Sequence, residues 1–219
     1  MIDLYFWTTP NGYKVMLLDE ELGLGARFVP VNISRGEQFA AEFLKVSPNN
    51  KIPAMVDHQP ATGGAPVTLF ESGAILLYLA EKTGQLLPRD TRGRAEVLQW
   101  LFWQMSGLGP TLGQVAHFGS YAPEPVPYAI DRFSGEASRL LQVMDGQLAS
   151  REYLAGDYSI ADIATYPWLR AFPAFGEGLG QFPHVARWLD TIGQRPAVLR
   201  AYERGAAINT QPTMTAESR

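Results

Sequence analysis

Asn49-Asn50-Lys51-Ile52-Pro53-Ala54-Met55-Val56-Asp57 and, after a Gly/Pro-rich loop, Leu69-Phe70-Glu71-Ser72-Gly73-Ala74-Ile75-Leu76 decide how this chain is read. The first stretch is a turn in which Pro53 fixes the entry to a buried strand. The second is the partner strand of a hairpin, running into a helix that opens on an acid beside a hydroxyl. Pro53 has no amide hydrogen and tolerates a cis bond, so it can begin a strand while the preceding backbone stays available to pair with a ligand backbone. Ser72 stands between the strand Val67–Phe70 and the apolar run Ala74, Ile75, Leu76, Tyr78, Leu79. That places it at a helix N-terminus, where unpaired amides and the dipole attract a carboxylate. Glu71 can accept from an ammonium group, so the pair suits the end of an amino acid that carries both charges, in a site for a small peptide. Taken alone, Ser72 reads equally as an N-cap, Glu71 as a solvated charge and Ile52-Pro53 as an ordinary turn.

Working outward, Ile2–Trp7 is an apolar strand, and the turn Thr8–Gly12 passes into an amphipathic helix over Tyr13–Leu22 that Gly23 and Gly25 stop. Arg27–Val31 reads as a second strand, parallel to the first by the crossover rule and pushed to an edge by Pro30. A short helix over Glu37–Lys45, the hairpin strands 53–57 and 67–70, and a helix from Ser72 to Lys82 ended by Gly84 complete an α/β layer over residues 1–87. Pro88–Arg92 reads as a linker. Beyond it the periodicity is helical only, which predicts an all-α domain over 93–208 with helices at Arg94–Leu108, Pro127–Ala149, Ser159–Phe172, Pro183–Gln194 and Ala197–Arg204. Ser159-Ile160-Ala161-Asp162 has capping-box spacing. The polar tail 209–219 is expected to fray.

Composition narrows the chemistry. Eighteen Lys and Arg against 22 Asp and Glu give a formal charge of −4, and no basic run favours nucleic acid or an anionic membrane. No apolar stretch approaches the length of a membrane span and no charged leader precedes Ile2, so a cytoplasmic protein is expected. The sequence has no cysteine, so any sulfur chemistry must come from a bound small molecule. His58, His117 and His184 are too scattered for a metal triad, and no metal is expected. Catalytic signatures such as His-Glu-x-x-His, Gly-x-Ser-x-Gly and the phosphate-cradling Gly-x-x-x-x-Gly-Lys are missing.

What remains is the first turn. Thr9 and Asn11 lie where the first strand ends and the first helix begins, a place where hydroxyl and amide donors converge with the positive end of a dipole and lower a thiol's pKa. A downward shift of about two units, roughly 2.7 kcal/mol, turns a thiol of ordinary pKa about 8.5 mostly into thiolate at neutral pH. The same residues, Thr9 before Pro10 and Asn11-Gly12, also read as turn punctuation.

With these motifs the chain resembles a cytosolic glutathione transferase along nearly its whole length: a thioredoxin-like half carrying Ile52-Pro53 and Glu71-Ser72, and an all-helical half carrying Ser159–Asp162. Thr9-Pro10-Asn11-Gly12, Ser47-Pro48-Asn49-Asn50-Lys51-Ile52-Pro53, and Trp103-Gln104-Met105 through Gly107-Leu108-Gly109-Pro110 are similar to the bacterial nu class, relatives of the yeast nitrogen regulator Ure2. The resemblance implies that Asn11 and Thr9 face the glutathione sulfur as the catalytic pair. It implies that Gln38, Lys51 and Ile52, with Pro53, hold the glycine and cysteine parts, and that Glu71 and Ser72 hold the γ-glutamyl end. Arg132 would reach to a second glutathione or to the other subunit of a homodimer. The implied activity is glutathione-dependent disulfide reduction, with one or two glutathiones per site as co-substrate, weaker transferase and peroxidase activities, and a small or peptidic disulfide or an electrophile as the other partner. A conventional transferase that conjugates electrophiles, and a non-enzymatic regulator that keeps the fold, are the alternatives.

Overall fold

Strand β1 (Ile2–Phe6) is buried except at Tyr5, which fits an interior strand. It lies between β2 (Arg27–Pro30), with which it is parallel, and β3 (Ala54–Asp57), with which it is antiparallel; β4 (Val67–Phe70) pairs antiparallel with β3, giving the order β2-β1-β3-β4. Pro30 therefore sits on an edge strand, where its missing donor breaks no ladder. The computed structural model describes residues 1–172 and 179–209.

Between β1 and β2 runs α1 (Pro10–Leu22), almost wholly buried. The turn expected at Thr8–Gly12 is instead the opening of this helix, with Thr9 as N-cap and Pro10 within the first turn. Proline suits that place because its fixed φ is already helical and no bond is lost there. Two single turns, Ile33–Arg35 and Glu37–Phe39, and the one-turn α2 (Ala41–Leu44) lead to β3, and α3 (Ser72–Thr83) follows β4. Asp57 at the end of β3 holds α3 to the sheet by accepting from Tyr78 at 2.8 Å and pairing with Lys82. Val15–Leu18 of α1 and Ile75, Leu76 and Leu79 of α3 are fully buried, each such side chain contributing about 2 kcal/mol.

The chain divides into two units, Met1–Gln85 together with the segment from Pro196, and Leu86–Arg195. The division departs from the expected boundary: α9 (Pro196–Ile208), read above as the end of the helical domain, belongs with the first unit. It packs on α1, where Tyr202 stacks on Tyr13 at 4.2 Å and Gly205 has no room for a Cβ, which would lie 2.5 Å from the Tyr13 hydroxyl. Arg204 reaches Asp19 at 2.9 Å and covers the Phe28 ring. Of the expected tail, Asn209 is described and donates to Thr8 Oγ1 at 2.5 Å; residues 210–219 lie outside the described residues.

The second unit begins with α4 (Thr91–Trp103) and continues without a break. A π-helical turn over Gln104–Leu108 leads into α5 (Gly109–Ala116), and another spans His117–Tyr121. The helix expected to stop near Leu108 thus extends to Tyr121. Helices α6 (Pro127–Leu148), α7 (Ile160–Ala171) and α8 (Pro183–Gly193) follow. The capping box at Ser159 forms as expected, and Asp162 is its buried centre: it accepts from Leu154 N, Ser159 N, Ser159 Oγ and Trp188 Nε1. Burial pushes its carboxyl up to about 6 despite these donors. No helix among the described residues is long and apolar enough to cross a membrane.

Candidate functional site

A cavity of about 150 Å³ in the first unit is lined by Asn11, Asn49, Lys51, Ile52, Pro53, Phe70, Glu71 and Ser72. Three local structures converge on it, and each has a reason in the sequence.

The first is the opening turn of α1. Thr9 Oγ1 accepts from Gly12 N at 3.1 Å, and the Thr9 carbonyl accepts from Tyr13 N, so the helix starts one residue before Asn11. The turn is pressed against the end of β1: a Cβ on Gly12 would lie 1.9 Å from the Trp7 carbonyl oxygen. Only glycine permits that approach. Asn11 lines the cavity, whereas Thr9, half-buried, is the cap beside it and outside the lining.

The second is the loop before β3. Buried Ser47 donates to the Lys51 carbonyl at 2.8 Å, and Asn50 N donates back to the Ser47 carbonyl. Asn50 takes a left-handed conformation, φ 50°, which asparagine adopts more readily than most residues. It turns the chain between Asn49 and Lys51, both of which line the cavity. The Ile52-Pro53 bond is cis.

The third is the β4–α3 junction. Glu71, exposed, stands at φ 74°, ψ 114°, outside the regions an L-residue prefers, while Ser72 is buried as the first residue of α3. Glu71 occupies the N-cap position without a side-chain capping bond. The hydroxyl at the helix start therefore belongs to Ser72, and Lys14 Nζ from α1 lies 3.5 Å from its Oγ. Lys14 is fully buried, a rare setting for lysine. Desolvation pulls its ammonium down to about 7, and the nearby Glu71 charge opposes that fall.

The remaining residues singled out in the sequence fall elsewhere. Gln38, in the Glu37–Phe39 turn, lies outside the cavity lining; its amide oxygen is buried and accepts no hydrogen bond among the described residues. Arg132 is exposed on α6 of the second unit, where it lines a separate groove with Thr111, Tyr128, Asp131, Phe133, Gly135 and Glu136. Among the described residues, no group of three or more His, Asp or Glu side chains is placed to hold a metal ion. Sequence reasoning passed over Asn49 and Phe70 as lining residues and Lys14 altogether. The available signal for Lys14 was its place as the one charge in the run Tyr13–Leu18.

Comparison with known proteins agrees with the two-part organisation. Residues 2–81 match the model of the glutathione S-transferase N-terminal domain, and residues 116–196 match that of the C-terminal domain. The chain is 54% identical over 202 residues to disulfide-bond oxidoreductase YfcG of Escherichia coli (strain K12), covering 92% of this chain and 94% of that one. A glutathione transferase family member from Pseudomonas fluorescens pf-5, solved with two glutathione bound, superposes with a TM-score of 0.87 at 44% identity over 92% of both chains. A glutathione transferase from Pseudomonas putida, solved with one glutathione disulfide per subunit, gives 0.88 at 43% identity over 91% of this chain and 90% of that one.

Proposed function

We propose, for a chain that belongs to the glutathione S-transferase family, that it reduces disulfides with the thiolate of bound glutathione. The observation that carries this is the single cavity that brings the first turn of α1 together with the Ile52-Pro53 loop and the Glu71-Ser72 junction, in a sequence with no sulfur nucleophile of its own.

On this reading the tripeptide lies extended along the cavity. Its γ-glutamyl carboxylate meets Ser72 and the amides opening α3, and its ammonium meets the Glu71 carboxylate. The Ile52 backbone pairs with the cysteinyl unit, Pro53 fixes that strand entry, and Lys51 and Gln38 are assigned to the glycine carboxylate. The sulfur then rests at the N-terminus of α1 with Asn11 and the Thr9 hydroxyl as donors. Thr9 Oγ1 accepts from Gly12 N, which leaves its own O–H proton to point at sulfur.

The reaction needs two glutathiones. The first thiolate attacks one sulfur of the disulfide, forming a mixed disulfide and releasing the other half as a thiolate that takes up a proton. A second glutathione thiolate attacks the glutathione sulfur of the mixed product, yielding glutathione disulfide and the second reduced thiol. Each glutathione gives up one electron and one proton to the substrate. Lowering the thiol pKa by about two units raises its ionised share at neutral pH from about 3% to about three-quarters, but costs about tenfold in nucleophilicity, so seating the sulfur supplies the rest of the rate.

Arg132 is assigned to a second tripeptide or to the other subunit of a homodimer. That two glutathione are bound in the Pseudomonas fluorescens relative supports room for a second one.

The test is turnover of hydroxyethyl disulfide with glutathione, set beside conjugation of a chlorinated nitrobenzene. Disulfide reduction should dominate and should fall steeply in Thr9→Ala/Asn11→Ala. Parent-like turnover in that variant would remove the thiolate site from α1.

A further inference from the structure

Thr8 takes no part in the roles assigned above, yet it adjoins the turn that receives the sulfur, and its side chain is bound by a residue 201 positions away. It is buried, and its Oγ1 accepts from Asn209 Nδ2 at 2.5 Å. Valine, of the same shape, would fill that place without needing a partner. Asn209 stands just past the end of α9, so the bond joins the C-terminal helix to the residue before Thr9.

The bond is one of two grips. Asn209 N donates to the Gly205 carbonyl at 3.0 Å, so Asn209 continues the helical run of α9 and is carried by it. One turn back, Gly205 lies against the Tyr13 ring with no room for a Cβ, and Tyr202 stacks on that ring at 4.2 Å. Successive turns of α9 therefore hold Tyr13 and Thr8, the two flanks of the segment Thr9–Gly12. That segment moves as one piece: Thr9 N donates to the Trp7 carbonyl at 2.8 Å, Tyr13 N to the Thr9 carbonyl at 2.9 Å, and Gly12 N to Thr9 Oγ1 at 3.1 Å. A displacement of Thr8 passes to Thr9 and to the first amides of α1.

We infer that Asn209 and Thr8 form a positioning pair for disulfide reduction: the end of α9 fixes where the opening turn of α1 presents the Thr9 hydroxyl and its amides to the glutathione sulfur. This rests on the assignment of the sulfur to that turn. Neither residue of the pair lines the cavity, so both act through Thr9 and Asn11. The field of a helix N-terminus is confined to its first turn and a hydrogen bond weakens steeply with angle. A shift of about 1 Å is enough to lose much of what steadies a thiolate and aims it. The tripeptide itself is held at the Ile52-Pro53 loop and the Glu71-Ser72 junction. The pair therefore governs ionisation and attack of the sulfur, and not affinity.

The experiment compares the parent with Thr8→Val, Asn209→Ala, Thr8→Ser and the double variant Thr8→Val/Asn209→Ala. Three quantities are read: the pH midpoint of thiolate absorbance of bound glutathione, kcat and KM for glutathione with hydroxyethyl disulfide, and the melting temperature. Thr8→Val and Asn209→Ala should each raise the midpoint by about one pH unit and lower kcat about tenfold, with KM for glutathione within about twofold of the parent. Thr8→Ser keeps the hydroxyl and should keep the parent midpoint and rate. The double variant should be no worse than either single one, because both remove the same bond. Melting temperatures should fall by about 1–6 °C, the loss of one hydrogen bond in a chain of this length.

A parent-like midpoint and kcat in Thr8→Val and Asn209→Ala overturn the proposal but leave the thiolate site standing. So does a loss confined to melting temperature or to KM, or one that adds up in the double variant. A parent midpoint equal to that of free glutathione overturns both. Should Thr8→Val not fold, Asn209→Ala decides: a parent-like midpoint there refutes the role.

Discussion

Glu71 joins backbone strain to ligand binding, and the two can be separated by substitution. Its φ of 74° with ψ of 114° lies outside the left-handed helical well, a conformation that costs an L-residue roughly 1–3 kcal/mol. Glycine escapes that cost but loses about 0.5–1 kcal/mol through the greater freedom of its unfolded chain. Glu71→Ala keeps the strain and removes the carboxylate; Glu71→Gly removes both. Glu71→Gly should therefore be the more stable by about 1–2 kcal/mol, or roughly 2–8 °C in melting temperature for a chain of this length. Both should bind glutathione about ten- to a hundredfold more weakly, the loss of one charge-assisted contact to an ammonium. Thermal melts and calorimetry with S-methylglutathione read the two effects separately. A glycine variant no more stable than the alanine one would show that the backbone at 71 is not strained. Parent-like binding in either would show that the Glu71 carboxylate does not hold the ligand.

Three other substitutions test the supports of the fold. Gly12→Ala forces a Cβ into the Trp7 carbonyl, so the first turn of α1 must shift; an overpacking loss of about 1–3 kcal/mol in urea melts and a larger relative loss of disulfide reductase activity are expected. Asp162→Asn offers one acceptor and a competing amide to four converging donors, and should lower the stability of the second unit by about 1–3 kcal/mol. Because the Asp162 carboxyl is raised to about 6, its contribution in the parent is fully present below the ordinary value of 3.8 and is lost as pH rises through 6, so the cost of the substitution at neutral pH understates its cost near pH 4. Asp3 behaves oppositely. Arg27, with His58, holds its carboxyl down to about 2 against burial, so its contribution is full above 3.8 and lost as pH falls towards 2. Asp3→Asn should flatten the acid limb of a stability–pH curve.

Much of the first unit, and one helix start in the second, was legible because the signals are local. Pro30 marks an edge strand, the 53–57 and 67–70 runs make a hairpin, and the Ser159–Asp162 spacing is itself the capping box. The Ile52-Pro53 and Glu71-Ser72 motifs do meet at one cavity with Asn11. What escaped the sequence depends on packing. Gly107, Gly109-Pro110 and Gly113 look like helix breakers, yet the chain stays helical through them. At Gly109 a Cβ would lie 2.7 Å from the amide nitrogen at the end of the Gln104 side chain, which glycine leaves in place, and Pro110 falls within the first turn of α5. The attachment of α9 to α1 lies in Gly205 under Tyr13 and Arg204 on Asp19, pairings between residues far apart in sequence that no periodicity can assign. The burial of Lys14 likewise follows from what closes over α1, not from its own neighbours in sequence.

The thiol pKa of glutathione bound to the protein, followed by the ultraviolet absorbance of the thiolate against pH, tests most directly whether the opening turn of α1 ionises the guest's sulfur. A midpoint about two units below the ordinary thiol value of about 8.5, returning towards that value in Thr9→Ala/Asn11→Ala, is predicted. A midpoint equal to that of free glutathione, or one lowered just as far in the variant, would contradict it.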